Sequence, residues 1–200
     1  MEYSEYTKKF YVRESELAQY IINRAVRRKR YITPLQVQNI MWYITEDIIR
    51  NDRNIEAYYF DWKTRSIGPY LERTYWHLCA SGVMEIFFET DFITEDKMID
   101  AFGDWLNPLI DVLLEREPWA LSRAFNDGCL AWMDANEILE NKRVQYKKKH
   151  SSGFFCDPWS GDPDGIPKEV FIPYESIKKY ALMKESEYES QLKARREKKT

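Results

Sequence analysis

The stretch that most constrains the fold is Thr33–Arg50, with the sequence TPLQVQNIMWYITEDIIR. Thr33 can cap a helix, Pro34 suits its first position, and Gln36 would complete a capping box. The apolar residues of this segment recur at helical spacing and form a broad stripe: Leu35, Val37, Ile40, Met41, Ile44 and Ile48. Because so wide an apolar face has to be buried by other elements, we expect this helix to lie in the core.

Helical patterns also occur on both sides of this segment. The spacing of apolar residues predicts further helices at about 15–29, 69–81, 94–106, 118–125, 130–149 and 173–183, and Pro108 is expected to restart or kink the third of these toward 116. Two short aromatic runs, 57–62 and 83–89, favour strands, which we expect to pair as an antiparallel ribbon. The predicted fold is therefore mainly α: a single compact helical domain with a small antiparallel β-ribbon.

The chain of 200 residues suits one domain, which we expect to span residues 1–183. Residues 151–168 contain three Gly, three Pro and three Asp and are predicted to form an irregular insertion loop. Ordered loops of this length are often functional. The strongly charged tail, 184–200, is expected to fray.

The residues needed for catalysis or metal binding are sparse. The chain has three cysteines, far apart, and two histidines, with no pair of cysteines at metal-binding spacing. No phosphate-binding glycine loop or nucleophile motif is present. We therefore predict no enzyme activity, no cofactor and no metal. With no apolar leader and no apolar stretch near 18 residues, we expect a cytoplasmic protein that has no membrane partner and keeps its thiols reduced.

The net charge of −3 argues against a DNA binder that is basic throughout and against a strongly acidic DNA mimic. Basic residues do cluster at the end of the first predicted helix: Arg24, Arg27, Arg28 and Arg30. Such cations complement the negative end of a helix dipole, which is a sufficient structural reason for them. A patch that binds phosphate or a partner is the alternative, and the sequence leaves both open.

A second constraint is Gly68-Pro69, one of few glycine positions in the chain. Gly68 can supply a backbone conformation that other residues resist, and Pro69 suits the first turn of a helix. On one interpretation this corner is only structural. On the other interpretation, the corner directs a contact patch outward, which contains Trp62, Tyr70, Glu72, Arg73 and Trp76. Trp, Tyr and Arg are the residue types that contribute most of the binding free energy in protein interfaces.

Several segments, taken in order, resemble a known family. They are ELAQYIINRA (16–25), ITPLQVQNIMWY (32–43), FDWKTRSIGPYLERTYWHLCASG (60–82), PWALSRAFNDGCLAWMDAN (118–136) and FIPYESIKKYAL (171–182). Together they are similar to the Panacea domain, the SocA-like antitoxin group that also occurs in phage-associated proteins. The chain departs from the family pattern at Asn39, in the longer spacing from Trp62 to Gly68, and in the insertion at 151–168.

The resemblance implies a mostly helical domain that acts by binding a protein. The expected function is that of a non-catalytic, antitoxin-like inhibitor that neutralises a toxin or effector by direct binding. The residues predicted to bind the partner are Trp62, Tyr70, Arg73, Trp76, Phe154, Phe155 and Trp159.

Two alternatives stay open. The first is a phage-encoded anti-defence protein, such as an anti-CRISPR, that inhibits a nucleoprotein effector. In that case the loop residues Phe154, Phe155 and Trp159 would act as a wedge, and the arginine cluster would meet phosphates. The second, weaker alternative is a nucleic-acid-binding regulator. The sequence also leaves open whether the protein forms a homodimer.

Overall fold

A computed structural model of the chain describes residues 10–53, 55–56, 60–65, 68–78, 95–150 and 168–199. Its helices are α1 (Glu14–Arg27), α2 (Pro34–Arg50), α3 (Glu72–Leu78), α4 (Glu95–Leu114), α5 (Pro118–Gly128), α6 (Leu130–His150), α7 (Tyr174–Ala181) and α8 (Glu185–Lys199). Its strands are β1 (Phe10–Tyr11), β2 (Ile55–Glu56), β3 (Trp62–Arg65), β4 (Gly68–Leu71) and β5 (Val170–Phe171). The prediction of a mainly α fold with a small antiparallel sheet is confirmed.

Helix α2 is the centre of the core and packs against α1, α4, α5 and α7. Thr33 caps it, since its Oγ1 accepts a hydrogen bond from the Gln36 backbone N–H at 3.2 Å. The predicted capping box was wrong, because the Gln36 side chain instead donates to the Arg116 carbonyl at 3.1 Å. In this way α2 is joined to the segment between α4 and α5.

The antiparallel sheet lies elsewhere than predicted. Its strand order is β4-β3-β5, and β3 pairs with both neighbours in antiparallel fashion. The predicted ribbon paired 57–62 with 83–89. Within it Trp62 is the first residue of β3, and residues 57–59 and 83–89 lie outside the described residues. A separate parallel pair joins β1 to β2. The partners of β3 are thus a strand that follows it closely and one more than a hundred residues away in the chain.

Pro69 lies in an edge strand, so the prediction that it starts a helix was wrong. In β4, the Leu71 N–H points away from β3 and donates to Gln38 Oε1 at 2.8 Å. Alternate residues of a strand present their N–H groups to the same edge, and position 69 therefore faces that edge too. The edge is buried against α2 and α5, and proline suits position 69 because it has no N–H that would be left unpaired there.

The C-terminal tail was predicted to fray, but residues Glu185–Lys199 form helix α8. Tyr188 joins it to the break between α5 and α6, where its hydroxyl donates to the Gly128 carbonyl and accepts from the Leu130 N–H. Arg195 forms an ion pair with Asp134 of α6. None of the helices in the described residues is both long enough and apolar enough to span a membrane.

Candidate functional site

The outer side of the three-stranded sheet and the adjoining α3 form one surface, here termed the hairpin face. Strand side chains alternate between the two sides of a sheet. Lys63 is in register with Tyr70 on one side and Phe171 on the other, so these three share the outer side. The hairpin face consists of Lys63, Tyr70, Glu72, Arg73, Tyr75, Trp76, Glu169 and Phe171.

A charged network fixes the middle of the hairpin face. Lys63 Nζ lies 2.6 Å from Glu72 Oε2 and 2.5 Å from Glu169 Oε1. The Tyr70 hydroxyl donates to the other oxygen of Glu169. The Lys63 ammonium also lies 4.9 Å from the centre of the Phe171 ring, at cation–π distance. The three strands and α3 are therefore joined through Lys63 together with Glu169, the residue before β5.

The environment favours the charged form of this lysine. Burial acts to lower the pKa of Lys63, but hydrogen bonds to Glu169 and Glu72 outweigh it and hold that pKa above its ordinary value. Only 11% of the Lys63 side chain is exposed. A lysine held in its charged form between two carboxylates is a poor nucleophile or base, so the network serves to hold the surface rigid.

A line of aromatic rings leads from this network to solvent. Tyr70 contacts Tyr75 edge-on with ring centres 5.7 Å apart, and Tyr75 contacts Trp76 in the same way at 5.5 Å. Trp76 is 61% exposed, and Phe171 on β5 is 59% exposed. Arg73, one turn earlier on α3, is also exposed. The hairpin face thus presents large rings to solvent on a rigid base, as hot-spot residues of protein interfaces do.

Two residues predicted to lie in the contact patch are internal. Trp62 is 1% exposed and packs edge-on against Trp42 at 5.0 Å between ring centres, and Tyr70 is 4% exposed. The prediction that the corner aims these two rings outward was wrong, because Trp62 alternates with Lys63 and points from β3 into the core. Tyr70 shares the outer side with Lys63 but is covered, and it supports Trp76 through Tyr75.

The arginine cluster of α1 mostly binds α4. Arg24 forms a two-pronged pair with Asp111, with Nε to Oδ1 at 2.9 Å and Nη2 to Oδ2 at 2.7 Å. Arg28 adds a contact to the same carboxylate at 3.1 Å, and Arg30 pairs with Glu115 at 2.6 Å. Arg27 is exposed on the last turn of α1. These ion pairs join the end of α1 to the end of α4, so the structure favours a structural role for the arginine cluster over phosphate binding.

The remaining predicted residues cannot be placed on this surface. Phe154, Phe155 and Trp159 belong to residues 151–167, outside the described part of the chain. The hairpin face in turn contains residues that sequence reasoning missed: Lys63, Tyr75, Glu169 and Phe171. Charged residues alternate with Trp and Thr along WKTR, which was a local signal that Lys63 faces outward, whereas nothing near Glu169 in the sequence indicates its partner.

A second cluster of titratable side chains consists of the half-buried Glu46, the buried Cys129 and the nearby Tyr188. The Trp42 indole N–H donates to Glu46 Oε1 at 2.9 Å, and the Cys129 sulfur lies 4.0 Å from the same oxygen. Burial raises the pKa of Glu46 and raises the pKa of Cys129, in the second case with help from the Glu46 charge. Burial also raises the pKa of Tyr188 to about 12. A buried thiol with a raised pKa is unreactive, so this group is structural.

The described residues hold no group of three or more His, Cys, Asp and Glu side chains placed to bind a metal ion. Comparison of the chain with protein-family models, with characterised proteins and with solved structures found no match.

Proposed function

We propose that this protein is a non-catalytic, antitoxin-like inhibitor that binds a protein toxin or effector through the hairpin face. The proposal joins the sequence resemblance to the Panacea domain with the surface described above. The observation that carries it is the exposure of Trp76 on a rigid support. Trp76 is already held by Tyr75, so its ring loses little conformational entropy when a partner buries it. More of the free energy of burying the ring is then available as binding free energy.

The electrostatics of the hairpin face support the same proposal. Glu72 and Glu169 share one lysine, and their charges are only partly compensated within the network. Arg73 adds an exposed guanidinium beside the rings. Aromatic and arginine side chains are enriched in protein interfaces, and the two carboxylates would disfavour the binding of phosphate at this surface.

The experiment is site-directed photo-crosslinking in cells of the native host. A photoreactive benzoylphenylalanine replaces Trp76 in one variant and Trp119 in a second. Trp119 is a matched control because it is 60% exposed and lies on another element, α5. We expect a discrete crosslinked protein from position 76 and none from position 119. The same products from both positions, or none from position 76, would count against the hairpin face.

A second candidate is the phage anti-defence protein that inhibits a nucleoprotein effector. The observation that favours it is the run of Lys and Arg on α6, KRVQYKKKH (142–150), in a chain of net charge −3. The genes beside this one would separate the two candidates. A toxin gene favours the antitoxin-like inhibitor, and a cluster of anti-defence genes favours the second candidate.

A further inference from the structure

Several buried polar atoms lie together where the β3–β4 hairpin packs on α2. Gln38 Nε2, Asn39 Oδ1, Trp62 Nε1 and Thr64 Oγ1 have no hydrogen-bond partner among the described residues, and each of these four residues is at most 2% exposed. A further atom of this kind, Asn136 Oδ1, is on α6. Buried polar groups in proteins are nearly always paired, because a donor or acceptor without a partner costs free energy. Four such atoms in one place therefore indicate a partner outside the polypeptide.

The orientations of both amides are fixed by their other contacts. Gln38 Oε1 accepts from the Leu71 N–H at 2.8 Å, which leaves Nε2 as the unpaired donor. Asn39 Nδ2 donates to Ser122 Oγ at 3.0 Å and to the Pro118 carbonyl at 3.3 Å, which leaves Oδ1 as the unpaired acceptor. A backbone N–H only donates and a carbonyl only accepts, so turning either amide over would break one of these bonds.

One level of the hairpin brings two donors together. Trp62 pairs with Leu71 across the hairpin, and the Leu71 N–H holds the Gln38 amide. The Trp62 indole N–H and the Gln38 amide N–H therefore belong to the same level. Two donors cannot bond to each other, so this level requires an acceptor that the described residues do not supply.

The next level of the hairpin combines an acceptor with a hydroxyl. Thr64 shares the inner side of β3 with Trp62, since strand side chains alternate, and it pairs with Pro69. A Cβ added to the adjacent Gly68 would lie 3.7 Å from Asn39 Oδ1. Asn39 Oδ1 therefore lies at the level of Thr64, whose hydroxyl can donate or accept.

We propose that Gln38, Asn39, Trp62 and Thr64 form a binding site for internal water between the hairpin and α2. Water accepts two hydrogen bonds and donates two, which matches two N–H donors, one carbonyl acceptor and one hydroxyl. An anion would be repelled by Asn39 Oδ1, and a cation would be repelled by the two N–H groups. The near-complete burial of all four residues suits a ligand as small as water. This inference goes beyond the proposed function and does not depend on it.

Thr64→Val tests the site by the sign of its effect on stability. Valine keeps the shape of threonine, lacks the hydroxyl and is well suited to a strand. If the Thr64 hydroxyl binds internal water, its loss should lower the equilibrium constant for folding by about fivefold. Urea denaturation of the full-length protein measures this. An unchanged or larger folding constant would overturn the proposal, because removing a hydroxyl that has no partner costs nothing.

Oxygen-17 magnetic relaxation dispersion supplies a readout other than stability, because it counts water molecules that stay in the protein longer than its tumbling time. Thr45→Val is the matched control, since Thr45 is also fully buried and its hydroxyl donates to the Met41 carbonyl at 2.9 Å. We expect Thr64→Val to lose at least one long-lived water and Thr45→Val to lose none. An unchanged count in Thr64→Val, or the same loss in both variants, would overturn the proposal.

A high-resolution crystal structure of the wild type makes the test independent of whether the variants fold. We expect ordered water within about 2.7–3.2 Å of at least two of the four atoms. If all four atoms are instead bonded directly to protein groups, or no water lies between the hairpin and α2, the site does not exist.

Discussion

Glu46 illustrates how one residue contributes to the pH dependence of folding stability. One oxygen of its carboxylate contacts both Trp42 and Cys129, and Arg50 supplies a charge that favours its ionised form. Burial raises the pKa of Glu46 above 4.5, so the folded protein holds this proton more tightly than the unfolded chain does. The stability that Glu46 contributes is complete below its unfolded pKa and is lost as the pH rises through its folded pKa.

Glu46→Gln should therefore stabilise the protein at pH 7. Glutamine keeps the acceptor for the Trp42 N–H and has no charge to desolvate. The gain in the free energy of unfolding should be on the order of 1 kcal/mol at neutral pH, a common size for a single substitution, and should vanish below about pH 4.5, where the wild-type carboxyl is protonated in both states. Thermal unfolding from pH 4 to 8 measures it.

Glu16→Gln is the control with the opposite sign. Burial acts to raise the pKa of Glu16, but hydrogen bonds from the Arg13 side chain and backbone outweigh it and lower that pKa. Its contribution is present above the unfolded pKa and lost as the pH falls. This variant should be destabilised at pH 7. A Glu46→Gln protein that is less stable than the wild type at pH 7 would show that the carboxylate is needed in its charged form.

At the scale of elements, the seating of the β3–β4 hairpin on α5 depends on Gly68. Its φ of +134° is in the region that favours glycine, and a Cβ added there would lie 2.9 Å from Cδ2 of Phe125. Phe125 is itself held between Trp42 and Tyr43, with ring centres at 6.2 and 5.5 Å. The ring therefore has little room to move away.

Gly68→Ala should lower the free energy of unfolding by about 2 kcal/mol, from the backbone strain and the displaced ring together. Urea denaturation measures it. Gly128→Ala is the matched control, because a Cβ at Gly128 has no heavy atom within 4 Å and the residue ends a helix. That variant should stay within about 0.5 kcal/mol of the wild type. Equal stability of the two variants would contradict this account of the hairpin.

The helices were largely predictable because their signals are local. The Thr33 cap and the apolar stripe placed α2 at its observed bounds, and the predicted starts of α5 and α6 match Pro118 and Leu130. Gly68-Pro69 was misread because the same pair suits both a helix start and an edge strand. The edge strand forms because β4 pairs with β3 and the Leu71 N–H binds Gln38. These partners are distant from β4 or outside its local pattern, so the local sequence does not reveal them.

At the scale of the whole molecule, the hairpin face could be predicted only in part. Arg73 and Trp76 are exposed as expected from their place beside the corner. Lys63 and Glu169 meet although they are 106 residues apart, and such a pairing leaves no periodic trace in the sequence. The charge clamp between Arg24 and Asp111 spans 87 residues and was missed for the same reason.

The account of the whole molecule depends on Trp76 acting as an anchor for a protein partner. The most direct measurement is the affinity of the partner crosslinked at position 76 for purified Trp76→Ala and Trp119→Ala variants, by titration calorimetry. We predict that Trp76→Ala weakens binding at least about 30-fold, equivalent to about 2 kcal/mol, with unfolding unchanged, and that Trp119→Ala binds as the wild type does. Undiminished binding by a folded Trp76→Ala protein would contradict the account.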